Sequence, residues 1–395
     1  MTAASLTFKA SAHSTRSLTA LYFASFIALG LSTGSLGPTL LTLASQTNSS
    51  ISSVSYLFTL RSLGYVCGSL RGGRLFDQYQ GNLVMGVLLL AGSLCLTAVA
   101  NANSFTVLLA LMFALGVVEA GIDVGANTLL VRVHRDRVAP FLSAMHAFFG
   151  VGALVAPLIV AAISSPGQSS SQAYVLISLL FLPIACGAFG FQSPGAIESD
   201  IIETRSSHMA PALALFVIFF CLYVGAEVGF GGWIFTYAVT TNIGSAATAA
   251  FLTSLFWAAL TIGRLVVIPL TSRLRAEPII VGTLSCAVLS LLAMLMPFRS
   301  LALLAFSTGV LGFSMGPIFP VTLSFAARRM NVTGRVTGWF VVGASLGATI
   351  LPLLIGQLLN SAGPRSTIVV PLIAMSGAIG TFALINQKSN TTHHV

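Results

Sequence analysis

Polar residues are sparse along this chain and divide it into twelve apolar stretches. Cut at its charged, polar and Gly/Pro-containing gaps, the sequence predicts helical spans at about 17–45, 51–76, 83–101, 104–132, 139–163, 171–193, 210–240, 246–272, 278–297, 299–328, 334–360 and 366–387. A helix needs about 20 apolar residues to cross the hydrocarbon of a bilayer, and these stretches are of that length or longer. The first 16 residues are polar and lack the apolar segment of a signal peptide.

Composition removes the soluble alternatives. Of 395 residues, 56% are hydrophobic and 7% charged, whereas soluble domains carry about 25% charged residues. The five cysteines all fall in apolar stretches without metal-ligand or disulfide spacing. A net charge of +9 does not point to nucleic acid, because the basic residues form no single arm or patch. They obey a different rule. With the N-terminus inside, 14 Lys and Arg fall in inner segments and only Arg299 and Arg365 in outer loops, with Arg61 and Arg264 inside spans. Positive-inside asymmetry therefore predicts twelve spans with both termini cytoplasmic, in a plasma or inner membrane.

The longest stretch rich in polar and charged residues, Gln192 to His208, follows span six. It predicts a six-helix bundle over 1–193, a cytoplasmic linker over 194–209 and a second six-helix bundle over 210–395. The halves echo one another: span five contains FFGVGALVAPL and span eleven FVVGASLGATILPL. Such repeats are typical of transporters, with the solute site near the midplane between them.

Leu115 to Val131 is the stretch richest in chemistry. Glu119, Asp123 and Asn127 are four residues apart, so they share one face of span four. Carboxylates within a membrane span are costly and usually face a cavity or a partner. Asp123 is the predicted coupling carboxylate, taking up H⁺ or Na⁺, or else an acid paired with a buried base. Glu119 belongs either to the same ion site or to a structural pair with Arg61, which needs an anion from span four or seven. His146, at the cytoplasmic start of span five, bonds a carboxylate or is satisfied by a backbone carbonyl. Arg264 lies near the inner end of span eight, where snorkelling suffices.

Span seven carries Glu227 among Gly225, Gly229, Gly231 and Gly232. That density predicts a loosened helix whose freed carbonyls line a cavity. Glu227 joins the ion-coupling candidates. Trp233 and Tyr237 follow, offering aromatic faces that suit a sugar ring, or an outer aromatic belt. No Walker lysine, HExxH or CxxC is present, so no enzyme, ATP site or metal centre is predicted.

The segment Gly73-Arg-Leu-Phe-Asp77-Gln-Tyr-Gln-Gly81-Asn resembles the signature loop between spans two and three of the major facilitator superfamily, with Gln78 and Asn82 where basic residues are usual. There the resemblance implies that Asp77 caps a helix or pairs with a cytoplasmic arginine. Asp123-Val-Gly-Ala-Asn127-Thr is similar to span four of the fucose–proton symporter family. Tyr223 to Tyr237 and Phe340 to Gly347 resemble that family's sodium-dependent glucose transporter branch.

The expected fold is an all-α polytopic membrane protein of twelve transmembrane helices in two pseudo-symmetric six-helix bundles. The expected function is alternating-access transport of a small polar solute, a monosaccharide, in symport with H⁺ or Na⁺. Asn127, Trp233 and Tyr237 are the expected substrate contacts. No cofactor other than the coupling ion is expected, and the protein is read as a monomer in the lipid bilayer. A proton-coupled antiporter exporting drugs or metabolites, and a non-transporting sensor, are the alternatives.

Overall fold

The computed structural model describes residues 12–163, 171–195, 211–271, 273–296, 300–330 and 334–391. Most of the linker expected at 194–209 lies outside the described residues. Among the described residues every regular element is a helix. In the first half, α1 (Ala12–Gln46), the short α2 (Ile51–Val54), α3 (Tyr56–Gln78), α4 (Gly81–Ala100), α5 (Phe105–His134), α6 (Ala139–Ile163) and α7 (Ser171–Gly190) follow in order. In the second come α8 (Pro211–Thr240), α9 (Ala246–Leu270), α10 (Ala276–Met294), α11 (Leu301–Met315), α12 (Ile318–Arg329), α13 (Gly334–Ser361) and α14 (Ser366–Thr391).

Among the described residues, eleven helical spans are long and apolar enough to cross a membrane, with α11 and α12 together forming one. The twelfth is α3. Its 23 residues include Arg61, Arg71, Arg74 and Asp77, which lower its hydropathy without altering its place in the bundle.

Two expected spans differ in detail. The second starts at Tyr56, not at 51, because serine hydroxyls compete locally with the helical ladder. Ser50 accepts from the Ser53 amide, and the Ser55 hydroxyl turns back to the Ser52 carbonyl at 2.6 Å. The tenth is interrupted between Met315 and Ile318 at Gly316 and Pro317, where proline removes a backbone donor.

The same pairing scheme builds both halves. In the first, α1 packs on α6, α3 on α5 and α4 on α7; in the second, α8 packs on α13, α9 on α11 and α10 on α14. Between halves, α6 meets α9 and α3 meets α13. These are two pseudo-symmetric six-span bundles. Small residues permit the close pairings that membrane helices depend on. A side-chain carbon on Gly116 of α5 would lie 2.0 Å from the Arg61 carbonyl oxygen of α3, so those two backbones touch.

Arg71, Arg74, Arg132, Arg273, Arg275, Arg328 and Arg329 lie toward one end of the bundle. At the other end, neutral contacts join the halves. Gln357 of α13 donates to the Ser52 carbonyl at 2.9 Å and to the Ser55 hydroxyl at 3.1 Å, and Asn360 donates to the Ser52 hydroxyl at 2.7 Å. Gly356 lies against Ser55 and Trp233, and Gly232 lies against Phe58.

This seal yields a prediction. A side-chain carbon at Gly356 would come within 2.3 Å of Ser55 Cβ, so Gly356→Leu cannot close that end as drawn. A cysteine replacing Ser345 in the central cavity should then label faster with a membrane-impermeant maleimide added from the Ser52 side. Equal labelling with glycine and leucine would show that these contacts do not seal the cavity.

Candidate functional site

Parallel helices set the site's geometry. α3 and α5 run side by side in the same direction, and residues 58 apart face each other across them. Arg61 meets Glu119, and one turn further on Tyr65 meets Asp123. The carboxylate spacing predicted for α5 is therefore matched by a base and a phenol at the same spacing on α3.

The upper rung is a two-pronged ion pair. Arg61 Nε donates to Glu119 Oε2 at 2.7 Å and Nη2 to Oε1 at 2.5 Å. Paired N–H donors matched to two carboxylate oxygens give such a pair both strength and orientation. Span one completes it: the Ser32 hydroxyl donates to Glu119 Oε1 at 2.6 Å, and Arg61 Nη2 reaches the Thr33 hydroxyl at 3.2 Å. Glu119 is thus bonded to Arg61 and at the same time lines the central cavity.

The lower rung has no arginine. Tyr65 donates its phenolic proton to Asp123 Oδ2. Asn127 Nδ2 donates to Asp123 Oδ1 at 2.8 Å and to the Asp123 carbonyl at 2.9 Å. Asn127 thus supports the carboxylate from one turn away and does not itself line the central cavity. His146 does line it, with its ring edge-on to Phe26 at 5.2 Å.

A second ion pair comes from the other half. Arg264 of α9 donates to Glu227 Oε1 of α8 at 3.1 Å. Tyr223 donates to Glu227 Oε2 and lies 3.0 Å from the Met315 carbonyl, where span ten breaks. Arg264 is therefore not a snorkelling residue. It lines the cavity and is held there by a buried carboxylate.

All of this surrounds a cavity of about 400 Å³ between the two halves, within the range of about 300–1,000 Å³ usual for ligand pockets. Arg61, Tyr65, Glu119, Asp123, His146 and Arg264 supply its charged and titratable lining.

Three expected features of span seven are corrected. The helix is unbroken from Pro211 to Thr240, because its glycines serve close packing. Gly225 abuts the Gly347 carbonyl, Gly231 abuts Trp257 and Gly232 abuts Phe58. Trp233 does not reach the cavity: it is fully buried, with its indole N–H bonded to the Pro352 carbonyl at 2.9 Å. Tyr237 lies in a separate depression with Thr240, Asn242 and Arg365 at the arginine-poor end. The tryptophan in the cavity is Trp257. Its position and that of Tyr65 were readable only from helix pairing.

In the signature loop, Asp77 accepts from Arg132 at 2.7 Å, and Arg132 also bonds the Phe76 carbonyl. Gly73 lies inside α3 with open space around it, and Gly81 opens α4 against Leu129. Asn82 is buried and satisfied, accepting from Tyr22 at 2.9 Å and donating to the Gln192 carbonyl at 3.0 Å. A long basic side chain would not fit that role.

A bundle of twelve spans in two repeated halves, with Arg61, Glu119, Asp123 and Arg264 turned to a cavity between them, defines an integral membrane protein of the transporter type. The sequence profile of the Major Facilitator Superfamily matches residues 21–352, and the chain belongs to that superfamily. It is 33% identical over 356 residues to sodium-dependent glucose transporter 1 of Xenopus laevis, spanning 82% of this chain and 72% of that protein. The human protein of the same name is 29% identical over 408 residues, covering 93% of this chain and 79% of that one. A solved structure of a mutant of the nucleoside transporter NupG superposes with TM-score 0.79 at 12% identity, covering 93% of this chain and 99% of that chain. At that identity the likeness is one of fold.

The Arg61–Glu119 pair has a measurable signature. Removing one partner of a buried pair costs about 3–5 kcal/mol, because the other charge is left unpaired. Arg61→Ala should therefore lower the thermal unfolding midpoint of the detergent-solubilised protein sharply. Arg61→Met with Glu119→Leu should recover most of the loss. A double variant no more stable than the single one would assign the destabilisation to packing instead.

Proposed function

We propose that the protein is a secondary active sugar transporter, moving a monosaccharide by alternating access in symport with Na⁺ or H⁺, with Asp123 as the coupling carboxylate. One observation carries the assignment to Asp123. Glu119 and Asp123 line the cavity and Glu227 is bonded to the lining Arg264; among the described residues Glu119 and Glu227 each have an arginine while Asp123 has only neutral hydrogen-bond partners. An unpaired carboxylate is the group whose charge a bound cation would cancel. Glu119 and Glu227 are then assigned to charge compensation, Asn127 and Tyr65 to holding Asp123, and His146 to the cavity wall beside it.

The sugar reading rests on the names of the relatives, which are sodium-dependent glucose transporters, and on the hydroxyl and carboxylate groups of α1, α3 and α5. The same names favour Na⁺. A cation at Asp123 would take the carboxylate and neutral oxygens such as the Tyr65 hydroxyl, consistent with the preference of hard cations for oxygen. The two bundles, divided at 194–209, would rock about the α6–α9 and α3–α13 contacts. We assign the arginine-rich end to the cytoplasm, with both termini there, and take the monomer as the working unit. The apolar part of the cavity wall favours a second reading, a proton-driven exporter of apolar compounds.

Proteoliposomes with imposed Na⁺ or H⁺ gradients and radiolabelled D-glucose separate these readings. Wild type should accumulate glucose above equilibrium with one gradient. Asp123→Asn should lose accumulation, at least about tenfold, while retaining glucose exchange across vesicles lacking a gradient. Undiminished accumulation by Asp123→Asn would overturn the coupling role. Absence of glucose flux in the wild type, with proton-driven efflux of a lipophilic dye, would favour the exporter.

A further inference from the structure

Apolar side chains line the cavity from both halves, with Phe26, Leu29, Phe58 and Phe149 from the first, but its polar groups are one-sided. Its hydroxyls and carboxylates are concentrated on the first half: Thr33, Ser62, Tyr65, Glu119 and Asp123 line it from α1, α3 and α5. The second half presents Val224, Val228, Trp257, Phe319, Val341 and Ala348. Its polar contributions are Ser345 and Arg264, and Arg264 is engaged by Glu227. No asparagine or glutamine is among the lining residues on either side. A polyol surrounded by hydroxyls needs donors and acceptors all round, because each buried group left unpaired is penalised. This cavity can satisfy such groups along one edge.

Trp257 is built as a platform on the opposite side. Phe256 packs against its ring at 5.4 Å and 72°. Gly231 approaches the indole so closely that a side-chain carbon there would lie 2.9 Å from Cζ2. The ring is thus held from two directions while still lining the cavity. A rigid aromatic face of this kind suits the C–H face of a pyranose or a second ring attached to it.

We propose that solute recognition is divided between the halves, with sugar hydroxyls read by α1, α3 and α5 and an apolar face or substituent received by Trp257 and its neighbours. The class of ligand the site takes is then a pyranoside with an apolar aglycone, in preference to the free hexose. The inference rests on the sugar-transport reading above and goes beyond it in assigning Trp257 and in ranking ligands.

The test is inhibition of radiolabelled D-glucose counterflow in proteoliposomes by methyl and phenyl β-D-glucopyranoside. Phenyl glucoside should compete about tenfold or more tightly than methyl glucoside, because the phenyl ring is removed from water. Trp257→Ala should reduce that ratio to near one, Trp257→Phe should keep most of it, and Ser62→Ala should weaken both glycosides without changing their ratio. The bilayer takes up phenyl glucoside equally in every preparation, so a change in ratio reports the cavity. Glucose counterflow with equal competition by both glycosides, or a ratio indifferent to Trp257→Ala, would overturn the divided site and leave sugar transport standing. Absence of glucose counterflow in a protein that still expels a lipophilic dye would overturn both.

Discussion

A guanidinium among hydrocarbon side chains is tolerable only with its counter-charge at hand, and Arg61 has Glu119 on both prongs. Much of the first half depends on that requirement. The pair fixes α3 against α5 in register, Gly116 lets their backbones touch, and the next rung brings the Tyr65 phenol to Asp123. Ser32 and Thr33 draw α1 into the same network. Three helices are positioned by one charge that had to be neutralised.

The second half meets the requirement differently. Arg264 corresponds to Arg61 in lying on the second helix of its repeat, yet its carboxylate comes from the first helix of that repeat rather than the fourth. Tyr223 extends the pair to the Met315 carbonyl at the break in span ten. Each pair closes within its own half. The contacts that seal the arginine-poor end between halves are by contrast amide, hydroxyl and glycine contacts. Strong electrostatics hold each bundle together, and weaker neutral contacts hold the bundles to each other.

Features set by hydrophobicity and charge were legible from the chain. The twelve spans, the arginine asymmetry and the acidic face of span four follow from the cost of polar groups in hydrocarbon, and they recur in the fold. Features set by pairing were not. Nothing local distinguishes glycines that break a helix from glycines that admit a neighbour, so span seven read as loosened although Gly225 and Gly347 make it a contact surface. Trp233 looked like the ligand-facing aromatic because it follows those glycines, whereas helix rotation turns it to Pro352 and leaves Trp257 at the cavity. Arg264 read as snorkelling because its carboxylate lies 37 residues earlier in the chain. The constant offset of 58 between Arg61 and Glu119 and between Tyr65 and Asp123 becomes a signal only once α3 and α5 are known to be neighbours.

The self-contained ion pairs also bear on membrane voltage. An elementary charge moved through the full field is worth about 2.3 kcal/mol per 100 mV. Arg61 with Glu119, and Arg264 with Glu227, sum to zero and would leave rocking of either half electrically silent. Asp123 is the exception. On the proposed reading, a carrier with a monovalent cation at Asp123 reorients as a neutral body, while the empty carrier returns with one negative charge. The membrane potential would then act on the empty return step, and a cell would pace uptake through its voltage without altering how tightly the solute is held.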